Sequence, residues 1–181
     1  MPALDLAVLA DHLLEQATEA LDAGAEPGVP GAPARRLITI GAPAFDFDSC
    51  AMLAVSVMPS VRLSQVGDQS DVGRGVACLT MTLAELRVTL IGCIPSIDDA
   101  GRSPSAADIT AASTPLLGQG WVMWCGLHNL RRSGILFPPS VPGDDRVVSI
   151  GPLTAIDAQG GALGWFVSVL VQIDLDRDLG L

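Results

Sequence analysis

The feature that most constrains the fold is a long alternating segment near the C-terminal end of the sequence. From Leu163 to Leu175, apolar residues occupy every second position, and Gly164, Ser168, Gln172 and Asp174 lie between them. A period of two is typical of a β-strand with one buried face. At about thirteen residues, this strand is longer than the usual five or six. The rest of the chain must therefore supply a cover for its apolar face.

The residues before this segment predict its antiparallel partner. Val147 to Asp157 is rich in β-branched residues, and the glycines of Asp157-Ala158-Gln159-Gly160-Gly161 tolerate the positive φ angles of a tight turn. The sequence therefore predicts a β-hairpin from Arg146 to Leu175.

Composition limits the class of protein. The chain has 181 residues, 49% hydrophobic and 17% charged, which is typical of one globular domain spanning 1–181. Its formal net charge of −10 argues against sequence-independent DNA binding, which depends on Lys and Arg neutralising phosphates. The N-terminal segment lacks the basic start of a signal peptide, so we expect synthesis and retention in the cytoplasm.

Two helices are predicted. The first has an apolar stripe at helical spacing from Leu6 to Leu21 and is stopped by Gly24, after which 24–35 is a Pro/Gly linker. The second begins at Ala106, capped by Ser105, and we expect it to be the most buried helix. Pro115 within it predicts a kink, or two abutting helices of which the second is capped by Ser113 or Thr114.

Three further strands are predicted upstream, at Arg36–Gly41, Cys50–Met58 and Cys78–Pro95. Pro59 predicts a bend or an edge position for the second of them. The third changes its alternation phase, which predicts a bulge near Leu83 to Glu85.

Together these elements predict an α+β fold. We expect an antiparallel-rich sheet with the N-terminal helix and the long second helix packed on one face, closing with the C-terminal β-hairpin. We expect residues 64–75 to form an extended loop and residues 176–181 an acidic tail.

Few residues are suited to catalysis or metal binding. The four cysteines lack a C-x-x-C pair, and Cys125 with His128 has no further ligands nearby, so buried free thiols are expected and no metal. His12 and His128 are expected at the boundary of the fold, and Asp174-x-Asp176-x-Asp178 lacks the glycine and closing Glu of a calcium loop. The uncharged run 109–130 carries too many polar and glycine residues for a membrane span. We expect no enzyme and no cofactor.

Four short motifs, in this order, resemble tail terminator proteins of long-tailed siphophages that infect actinobacteria. They are Gly41-Ala42-Pro43 after a strand, the segment 48–55 (DSCAMLAV), Gly92-Cys93-Ile94-Pro95, and the Gln159-Gly160-Gly161 turn before the alternating strand. Gly92 stands where the family has Arg, and Ser49 separates Asp48 from Cys50.

The resemblance implies a virion structural protein of the neck and tail. It implies a homo-hexameric ring that caps the tail tube, ends its polymerisation and joins it to the head. The implied partners are the tail-tube protein, the head-side connector or stopper and the tape-measure protein, with DNA passing without specific binding and no membrane. The candidate interaction residues are Asp46, Asp48, Asp68, Gln69, Asp71, Arg74, Gln159, Gly160 and Gly161.

Two alternatives stay open from the sequence. One is another neck or tail-tube component of similar fold. The other is a soluble ligand-binding or enzymatic α+β domain that uses Trp121, Trp124 and Trp165 as a pocket, although large aromatics at such spacing are more often core residues.

Overall fold

The predicted α+β architecture is confirmed by a computed structural model, which describes residues 6–43, 51–65, 80–97, 101–134, 136, 147–159 and 161–173. The elements follow in the order α1 (Leu6–Ala23), β1 (Arg35–Ile40), β2 (Met52–Gln65), β3 (Thr80–Cys93), α2 (Ala106–Arg132), β4 (Val147–Ile150), β5 (Thr154–Gln159) and β6 (Ala162–Ile173). The strands form one mixed sheet in the order β1-β2-β3-β6-β4, and β5 also pairs with β6.

The alternating segment becomes β6, which lies between β3 and the β4 and β5 strands. The predicted hairpin is confirmed in β5 and β6, but its first half is divided into β4 and β5 by residues 151–153. All described strand pairs are antiparallel except β1 with β2, which run parallel. The long strand therefore occupies an interior position rather than an edge.

The sheet irregularity predicted in β3 lies instead in its neighbour β2. β3 pairs with β6 in one unbroken register. On its other side the register shifts between Met58, opposite Glu85, and Arg62, opposite Leu83. The extra residues thus belong to β2, where Pro59 cannot donate a ladder hydrogen bond.

Helix α1 confirms the predicted amphipathic stripe. Its buried residues are Leu9, Ala10, Leu13, Ala17, Thr18 and Leu21. Thr18 is buried, and its hydroxyl is satisfied by donating to the Leu14 carbonyl at 2.8 Å. The linker after the helix is held by Asp22, whose carboxylate accepts the Ala32 N–H at 2.8 Å.

Helix α2 differs from its prediction in two respects. It runs unbroken for 27 residues through Pro115, and Ser113 and Thr114 donate to carbonyls of the preceding turn instead of capping a second helix. It is also not the most buried helix, because residues 106–111 are all exposed. The predicted N-cap is confirmed, since Ser105 and Asp108 form a capping box.

Both helices pack on one face of the sheet and enclose the main core. That core joins α1 and α2 to alternate residues of β2, β3 and β6, among them Leu53, Leu86 and Val167. Gly120 lets α2 approach the sheet, because a Cβ there would lie 2.8 Å from Cδ1 of Trp165. No helix among the described residues is both long and apolar enough to cross a membrane.

Candidate interaction surfaces

Three of the four motifs meet at one end of the sheet, which we call the motif end and define by Ala51, Met52, residues 93–97, Gln159 and Gly161. The pairings Met52 with Ile91, Cys93 with Ala162 and Gln159 with Ala162 bring the motifs together. Segments far apart in sequence thus form one local surface. The fourth motif begins at Gly41, whose N–H donates to the Val57 carbonyl at 3.0 Å, away from the motif end.

The motif end is held by a backbone contact and a small core of its own. The Ile94 N–H donates to the Gly161 carbonyl at 2.8 Å. Gly161 has a φ of +85°, so a side chain there would strain the turn. The small core contains Met52, Ile91 and Ala162. Ile97 is 64% exposed beside it and offers apolar surface to a partner.

The cysteines depart from the expected set of buried free thiols. Cys93 at the motif end is exposed and disulfide-bonded. Cys125 is a free, half-buried thiol on α2. The spacing of the cysteines in the sequence did not predict the bond, because a disulfide depends on how close two cysteines lie in the fold.

Most of the candidate interaction residues cannot be placed. Asp46, Asp48, Asp68, Gln69, Asp71, Arg74 and Gly160 lie outside the described residues, as do most of the 64–75 loop and the 176–181 tail. Gln159 and Gly161 lie in the β5 to β6 turn, within the motif end. Ser64 and Gln65, predicted as the start of the loop, instead pair with Met81 and Thr80 in the sheet.

The sheet face opposite the helices carries a polar cluster that sequence reasoning missed. Oε1 of Glu85 accepts hydrogen bonds from Arg87 at 3.0 Å and from Ser168 at 2.6 Å. The Arg87 guanidinium lies 4.4 Å from the ring centroid of Phe166, in cation–π geometry. Glu85 is only 8% exposed. The signal was present, because Glu85 and Arg87 are two residues apart within an apolar strand and so share a face.

A groove between α1 and α2 opens on the side of the helices away from the sheet, and we call it the helix groove. It has a volume of about 490 Å³ and is lined by residues that include Glu19, Ala20 and Ala23 of α1 with Trp121, Cys125 and Asn129 of α2. The helices cross closely, since a Cβ on Gly126 would lie 2.5 Å from that of Ala20.

The three tryptophans do not form the shared pocket considered from the sequence. Trp121 is 59% exposed at the helix groove. Trp124 stacks on it at 5.2 Å but donates its indole N–H to the Gly151 carbonyl at 3.1 Å. Trp165 packs into the main core under Gly120. Only Trp121 is available to a ligand in the groove.

The histidines form no constellation suited to catalysis within the described residues. His12 lies 3.8 Å from Glu15, and His128 stacks on Trp124 at 4.4 Å. The Nε2 atom of each is buried, and neither has a hydrogen-bond partner in the described part of the chain. No group of three or more metal-binding side chains occurs there either.

The edge strand β1 is a further exposed surface. Among the described strands it pairs only with β2, so its outer backbone groups face away from the sheet. Ile40 at its end is 88% exposed, and Ile38 is 39% exposed. An edge of this kind can pair with a strand of another chain.

Comparisons with known proteins do not identify a family for this fold and these surfaces. No protein-family model matches the chain, and no curated protein matches it.

Proposed function

We propose that the protein is a structural component of a siphophage virion, a tail terminator whose ring caps the tail tube. The observation that carries this is the motif end, where three of the motifs that resemble the family form one surface. A non-catalytic role in the neck of the virion agrees with the few reactive side chains. The ring ends tube polymerisation and presents its other side to the head connector.

Ring formation requires surfaces that bind another copy, and β1 supports it. Its outer edge, which pairs with no other described strand, and the 88% exposed Ile40 suit pairing between subunits. The motif end, with its exposed Ile97, suits contact with the tail tube, because it lies at the opposite end of β1 from Ile40. The acidic charge of −10 suits a channel through which DNA slides without binding.

Light scattering on the purified protein, with and without the tail-tube protein, tests this function. We expect a mass of about six times the 18.7 kDa of one chain, alone or on adding the tube protein. Electron microscopy should show that tubes stop growing once the ring is added. A monomer that leaves tube growth unchanged would contradict the proposed function.

Substitutions at two exposed residues distinguish the contact between subunits from the contact with the tail tube. Ile40→Glu should reduce the ring to smaller species, because it places a charge at the subunit edge. Ile97→Glu should leave the ring intact and abolish the arrest of tube growth. A ring that forms but is incorporated along the tube would instead indicate another neck or tail-tube component.

A further inference from the structure

Glu19 is the one acidic residue that lines the helix groove, and it belongs to a row of carboxylates on the exposed side of α1 beside the groove. α1 carries Asp11, Glu15, Glu19 and Asp22 and has no Lys or Arg. Among the described residues none of the four forms an ion pair with an arginine, and Glu15 lies 3.8 Å from His12. The carboxylates of Asp11, Glu15 and Glu19 follow each other at intervals of four residues, which aligns them along one side of the helix.

The opposite wall and the floor carry no charge, and they are apolar apart from Asn129. α2 has no charged residue between Asp108 and Arg131. Trp121 is 59% exposed and Leu117, one turn before it, is 53% exposed. The floor is flat because Ala20 meets Gly126, which carries no side chain. An exposed tryptophan beside a smooth apolar floor is the kind of surface on which binding energy concentrates.

We propose that the helix groove binds an amphipathic helix of a partner protein that carries Arg or Lys beside its apolar face. Apolar side chains of that helix pack on Trp121 and the Ala20 floor, and its basic side chains reach Glu19 and Glu15. This site is separate from the motif end and does not depend on the protein capping a tail tube.

The shape of the groove favours a helix as its occupant. Its lining runs along α2 from Trp121 to Leu130, about 13 Å at 1.5 Å per residue, or two to three turns. A helix laid between two others presents side chains at positions i, i+3, i+4 and i+7 to such a groove. The 490 Å³ of space accommodates a few large apolar side chains, rather than a folded domain.

The charge of the groove favours a basic occupant over the other candidates. Anionic lipid and nucleic acid are repelled by Glu19 and the row of α1 carboxylates beside the groove. A second copy docked through the same helices would bring two sets of α1 carboxylates together. Basic residues on the partner relieve the repulsion among Asp11, Glu15 and Glu19 instead.

The test uses two labelled synthetic peptides of about 18 residues, long enough to form a helix. Both carry leucines at i, i+3, i+4 and i+7, one with Arg and one with Glu beside the leucines. Fluorescence polarisation with the full chain should detect binding of the Arg peptide alone. High salt should weaken that binding, because exposed charges are screened. Equal binding of the two peptides, or binding of neither, overturns the proposal.

Four variants locate the binding site. Trp121→Ala should weaken binding of the Arg peptide about tenfold. Glu19→Gln should weaken it about threefold at low salt and leave it unchanged at high salt. Ile109→Ala and Glu26→Gln, which alter an exposed apolar residue and a carboxylate outside the groove, are the matched controls and should leave binding unchanged. Controls that weaken binding as much as the groove variants overturn the site.

Light scattering distinguishes the remaining occupant, a second copy of the chain. If Trp121→Ala lowers the mass of the protein while Ile109→Ala does not, the groove is a contact between copies, and the proposed partner helix is wrong. We expect Trp121→Ala to leave the mass unchanged.

Discussion

The two faces of the sheet are built on different principles although the same strands form both. On the helix face, Leu86, Val88 and Val167 are fully buried in an apolar core. On the opposite face, Glu85 and Arg87 alternate with these residues and form an ion pair joined by Ser168. The helix face is held by non-directional burial, whereas the opposite face depends on matched polar partners. Substitutions on the two faces should therefore lower the free energy of unfolding for different reasons.

The largest effect is expected on the helix face. Leu86→Ala should lower the free energy of unfolding by about 3 kcal/mol, because it removes buried apolar surface and leaves a cavity. Urea denaturation measures the change. The control Ile109→Ala, at a 40% exposed position near the start of α2, should change stability little. If Leu86→Ala lowers the free energy of unfolding as little as the control does, the helices do not exclude water from this core.

A smaller loss is expected from Glu85→Gln on the polar face. The change should cost about 2 kcal/mol, because Arg87 then lies half-buried opposite a neutral amide. The double variant Glu85→Gln with Arg87→Met should recover part of this loss, since it removes the unpaired charge. If the double variant is no more stable than the single one, the pairing of charges is not what holds this face.

Thr89 on the polar face offers a change in the opposite direction. Its Oγ1 atom is buried and has no hydrogen-bond partner among the described residues. Thr89→Val should raise the free energy of unfolding by about 1 kcal/mol, because it replaces an unpaired hydroxyl with a methyl group of similar size. Thermal or urea unfolding measures the gain. Destabilisation would mean that the hydroxyl has a partner in solution.

The two described cysteines should differ in their reactivity toward an alkylating reagent. Alkylation of the folded, unreduced protein should modify Cys125 in the helix layer, and Cys93 should react only after reduction. Peptide mass spectrometry distinguishes the two. Modification of Cys93 before reduction would contradict the disulfide.

The parts of the fold that sequence predicted well are those with long, regular patterns. The alternation in β6 and the helical stripe in α1 were both recognisable because burial repeats over many residues. The cap at Ser105 was also predictable, since it depends on the chemistry of neighbouring residues alone.

What could not be predicted depends on contacts between distant segments. The parallel pairing of β1 with β2 and the exposure of the first turns of α2 follow from tertiary packing. Pro115 was expected to interrupt its helix, but it lies where α2 passes from its exposed start to its packed half, and the helix continues. The motif end also depends on tertiary contacts. The short motifs predicted the order of its segments along the chain but not that they would meet at one end of the sheet.

The interior position of β6 has a consequence for synthesis on the ribosome. β3 needs β6 as its neighbour, but α2, β4 and β5 are all translated between them. At about 5 to 20 residues per second, β3 waits seconds with one backbone edge unpaired. During that interval β2 can already pair with the other edge of β3 and α1 can cover its apolar face, while the polar cluster around Glu85 still lacks Ser168. The nascent chain is therefore most exposed to mispairing just before its longest alternating segment leaves the exit tunnel.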